Sequence, residues 1–163
     1  MNIRARFAVV SLSALALAGC SPTLVESPSP APSAPAAQAR PAAFPVDKLV
    51  GNWGVSSYRE EKDRPRTEAM AKTQCKLPYS ITKGPTDGVM MHVADDTKLY
   101  ELTLKGTADG KTYLGFNAPP GDLSDREILS RTDNVMIMRF VDPDVAKRYG
   151  TFIYVRCPGG ARA

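Results

Sequence analysis

From residue 52 onward the chain runs as short stretches of alternating polar and apolar residues, each stopped by turn chemistry. Residues 52–58 read as a first strand. A highly charged run follows to residue 74, and within it 67–74 holds the helix formers Ala, Met, Glu and Lys, enough for a short helix. Residues 77–82 end in a Gly- and Pro-containing turn at 83–88, and 89–94 ends at Asp95-Asp96. Between 98 and 105, Leu99, Glu101 and Thr103 oppose Tyr100, Leu102 and Leu104, and Asp109-Gly110 is a hairpin signal leading into 111–116. After a loop at 117–122, residues 126–131 and 135–141 join across Thr132, Asp133 and Asn134. Asp142 then predicts a helix cap with Pro143 in the first turn, Gly150 a stop, and 151–157 a last strand.

About eight short strands at hairpin spacing predict an all-β fold, an antiparallel meander closed as a small barrel or folded as a sandwich, with one or two short helical turns. Closure has a physical motive, because a small open sheet leaves unpaired edges. A stretch of this length, 46–163, supports a single core and therefore a single domain.

Upstream the pattern changes. Arg4 and Arg6 precede an uncharged run from Phe7 to Ala18, which is signal-peptide length and short of the roughly 20 residues of a spanning helix. It ends in Leu17-Ala18-Gly19-Cys20. This resembles the lipobox of bacterial lipoproteins, and the resemblance implies cleavage of 1–19, lipidation (thioether diacylglycerol and an N-acyl chain such as palmitate) at Cys20, and attachment to a membrane through that lipid. Two or three acyl chains anchor stably where one does not. Ser21 in place of aspartate resembles an outer-membrane address. Residues 20–45, with seven of the fourteen prolines, then read as a disordered Pro/Ala/Ser-rich tether.

Removing Arg4 and Arg6 leaves 19 basic against 17 acidic residues, net +2. The charges are interleaved, so there is no footprint for nucleic acid or for a polybasic membrane surface. With Cys20 used by the anchor, Cys75 and Cys157 are the remaining thiols of an exported chain and predict one disulfide.

Gly51-Asn52-Trp53 on the first strand is similar to the Gly-x-Trp that opens lipocalin and wider calycin barrels. The small bacterial alkaline-protease inhibitors, exported eight-stranded barrels, begin in a similar way. The resemblance implies that Trp53 closes one end of a barrel and that Gly51 permits the bend into the strand. The chain departs from typical lipocalins in being shorter, in its charged insert at 59–74 and in lacking their long C-terminal helix, and from the inhibitors in the wide spacing of its two cysteines.

Convergent chemistry is sparse. His92 is the one histidine and lies among Met90, Met91 and Val93, and no nucleophile or orienting acid is placed around it by spacing. Asp95, Asp96, Asp122 and Asp125 fall in turns, where aspartate serves the local backbone. No catalytic residue, metal site or cofactor is expected. Met136, Met138 and Phe140 share one strand face, which Met90 is expected to join, and with Trp53 they mark an apolar pocket or core. The expectation is an outer-membrane, periplasm-facing lipoprotein whose non-catalytic barrel binds an apolar small molecule or an envelope protein. The alternatives are a periplasmic protease inhibitor, entering a protease through 41–48, and a structural adaptor.

Overall fold

The computed structural model describes residues 39–159. The lipobox, Cys20 and most of the expected tether lie outside the described residues. Among the described residues the alternation resolves into nine strands: β1 (Ala39–Arg40), β2 (Gly51–Tyr58), β3 (Tyr79–Lys83), β4 (Val89–His92), β5 (Leu99–Thr107), β6 (Thr112–Gly115), β7 (Arg126–Arg131), β8 (Val135–Phe140) and β9 (Thr151–Arg156). From β2 to β9 each strand pairs antiparallel with the next in the chain, and β9 returns to β2. The predicted meander is therefore a closed eight-stranded barrel rather than a sandwich. β1 lies off this ring and pairs with the end of β5 that β4 does not reach, Ala39 opposite Thr107.

One side-chain set fills the interior. Trp53, Ile81, Val89, Met91, Leu102, Leu114, Met136, Met138 and Tyr154 form its centre. Burial of each such side chain contributes about 1.5–3 kcal/mol before entropy is charged against it. A second, smaller cluster lies outside the ring, where Tyr58, Ile137, Ile153 and Val155 meet Ala71. Ala71 belongs to α1 (Arg64–Thr73), so the charged insert is a helix laid over the outer face of the sheet. It begins three residues before the predicted start, because Pro65 fits a first turn whose N–H groups need no helical partner. Glu68 and Lys72 pair one turn apart at 3.1 Å on its exposed side.

The disulfide joins Cys75, just past α1, to Cys157, just past β9. It staples the helix to the strand that closes the barrel. α2 (Pro143–Tyr149) starts where predicted: the Asp142 carboxylate accepts from the backbone N–H groups of Asp144 (2.8 Å) and Val145 (3.0 Å). The 116–125 loop folds back on the outside of the barrel and is held by Lys105, whose ammonium donates to Asp125 (2.6 Å) and to the carbonyls of Phe116 and Ala118.

The residues 39–46 that the sequence reading divides between tether and domain are laid against the barrel. Phe44 and Val46 are half-buried on the core, and the Arg131 guanidinium stands 4.7 Å from the Phe44 ring centroid.

Candidate functional site

The two ends of the barrel differ. At one end Trp53 is fully buried, its indole N–H donating to the carbonyl of Leu49 at 2.8 Å. Gly51, at φ 139°, takes a conformation that disfavours a side chain and turns the chain into this strand. Arg156, opposite Trp53 in the ladder, lies over the indole at 4.1 Å and donates to the carbonyls of Asp133, Val50 and Lys48. This end is filled.

The other end holds a cavity of about 450 Å³. Its wall comes from alternate residues of neighbouring strands: Val55 on β2, Phe152 and Tyr154 on β9, Phe140 on β8. Their rings pack in a chain, with centroids 6.0 Å apart for Phe140–Phe152 and 6.2 Å for Phe152–Tyr154. The size and apolar lining suit a small organic molecule. Residues 93–97 cross the mouth and are tied to α2, because Asp95 accepts from Arg148 (2.7 Å) and from the Tyr149 hydroxyl.

Polar groups enter from one side. Tyr79 and His92 face each other, the phenol oxygen accepting from the His92 backbone N–H at 2.9 Å. Arg126, on β7, reaches across to donate to the His92 carbonyl. Burial pushes the Tyr154 phenol up to about 12, against an opposing pull from Arg126, so it stays a neutral hydroxyl at any physiological pH. Burial raises Tyr79 as well, opposed by its bond from His92 and by Arg126. The Tyr100 hydroxyl, first among its partners, holds the Asp96 carboxyl below its usual range. Among the described residues no group of three or more His, Cys, Asp or Glu side chains converges as a metal site requires.

The sequence-predicted residues divide by layer. Phe140 lines the cavity, whereas Trp53, Met136 and Met138 are packed core. Met90 does not join them. It pairs with Glu101 and Thr82 on the outer side of β4, and its neighbour Met91 takes the inner position. The alternation of four residues, Val89 to His92, admits either phase until the partner strands are known. Arg126 went unnoticed in sequence. It shares inward parity with Ile128, a signal hidden because the outward Leu129 is itself apolar and a bulge between Ile128 and Ser130 shifts the pairing of the residues that follow.

Compared with protein-family models, with curated proteins and with solved structures, the chain matches none.

Proposed function

We propose that this chain is a lipoprotein of the cell envelope, anchored through Cys20 at the outer membrane, whose barrel binds an apolar small molecule without transforming it. One observation carries the binding part: the barrel is filled at the Trp53 end and open at the other, where Phe and Tyr side chains surround about 450 Å³. A cleft of this size, lined mainly by apolar and aromatic side chains with a few polar groups on one side, has the make-up of a small-molecule site. The anchor rests on the lipobox sequence alone. The protease-inhibitor alternative is less favoured, because residues 41–48 rest on the barrel through Phe44 and Val46 and do not project from it.

Binding is tested with N-phenyl-1-naphthylamine, a neutral apolar fluorophore, added to the full chain carrying Cys20→Ser. The reading predicts saturable enhancement at one site, abolished when Val55→Trp fills the cavity. Absence of saturable uptake contradicts it. The same Cys20→Ser change moves the protein from the membrane to the soluble periplasmic fraction if the anchor is lipid; continued membrane retention contradicts the anchor.

A further inference from the structure

Arg126 is 6% exposed, and its guanidinium carbon stands 4.7 Å from the centroid of the Phe140 ring, its partner across the β7–β8 ladder. Nη2 donates to the His92 carbonyl, while Nη1 is buried with no partner, the one buried side-chain nitrogen or oxygen so left among the described residues. No carboxylate of the described residues pairs with this guanidinium. The two acids at the cavity mouth are committed elsewhere, Asp95 to Arg148 and Tyr149, Asp96 to Tyr100 and the Lys98 backbone.

A guanidinium stays charged in any protein environment, and burying one without a counter-ion is unfavourable. The same barrel shows the usual solution at Lys105, whose buried ammonium meets Asp125 at 2.6 Å. Arg126 has only a neutral carbonyl and an aromatic face, and it lines the open cavity.

We propose that the cavity takes a small monocarboxylate with an apolar body, the carboxylate accepting from Arg126 and the body packing among Phe140, Phe152 and Tyr154. This rests on the ligand-binding reading above and names its ligand class. A single negative charge matches a single uncompensated guanidinium, and the carboxylates of Asp95 and Asp96 at the mouth disfavour a dianion. The neutral Tyr154 hydroxyl adds polarity to this wall without adding charge.

The test is titration calorimetry on the full chain carrying Cys20→Ser, with decanoate and naphthalene-2-carboxylate, each against its own primary amide. The expected result is that at least one acid binds about tenfold or more tightly than its amide. Which acid does so distinguishes an acyl from an aryl source. In Arg126→Met, which keeps the stem and removes the charge, acid and amide bind alike. Equal binding of acid and amide by the unaltered cavity overturns the proposal and leaves the apolar-binding reading standing. Retained acid preference in Arg126→Met also overturns it. Failure of all four probes to bind overturns both. Should Arg126→Met not fold, the comparison of acid with amide decides alone.

Discussion

A Cβ added to Gly54 would stand 1.9 Å from the carbonyl oxygen of Ala71 and 3.2 Å from the sulfur of Cys75. The outer face of β2 thus meets the backbone of α1 with no room for a methyl group, and the disulfide closes the same contact. Gly54→Ala forces the helix off the sheet. The expected cost is about 1–3 kcal/mol, the range for overpacking, read as a lower urea midpoint at unchanged slope.

Cys75 and Cys157 are 82 residues apart, and their bridge links the segment just past α1 to the residue that follows β9. Closing a loop of this length restricts the unfolded chain by about 4.5 kcal/mol on the chain-entropy model. Reduction with dithiothreitol should lower stability by several kcal/mol and expose the outer cluster around Ile153. Denaturant unfolding with and without reductant measures this directly.

Trp53 is the chain's single tryptophan and is fully buried under Arg156. Its emission should be blue-shifted in the native protein. Arg156→Ala removes the cover and leaves three backbone carbonyls without their donor. A loss of about 3 kcal/mol is expected, since hydrogen bonds from charged groups contribute roughly 1.5–3 kcal/mol each and do not add fully. A red shift of the tryptophan emission in the folded variant reports the opened end.

Tyr154 gives the alkaline stability limb a defined sign. Its phenol titrates near 10 when unfolded and at about 12 in the barrel, where desolvation disfavours phenolate. Below pH 10 both states hold the proton and the contribution is intact. Between pH 10 and 12 the unfolded chain releases it first, so stability falls by roughly 3 kcal/mol across that window. Tyr154→Phe should flatten this decline, as measured by denaturant unfolding at pH 9 and pH 11.5.

The strand pattern was legible because each strand is short, alternates, and is bounded by turn residues such as Asp109-Gly110 and the Asp142-Pro143 cap. Barrel closure was not, since it depends on β9 finding β2 from opposite ends of the domain, a pairing no local signal encodes. Trp53 and the methionines of β8 were readable as apolar, but core and cavity lining have the same local pattern. Only the register that puts Phe140 opposite Arg126 and Met136 opposite Tyr154 separates them. Arg126 is the clearest instance: a charge at an inward position reads as noise in sequence and becomes a site only when the facing strands are known. β1 is too short to show alternation at all.

Native mass spectrometry of the full chain carrying Cys20→Ser, produced in a bacterial periplasm, decides whether the barrel holds a ligand. The expected spectrum shows an added small-molecule mass that leaves on organic extraction, returns when an extract is added back, and is absent from Val55→Trp. A bare mass that takes up no component of an envelope extract would contradict it.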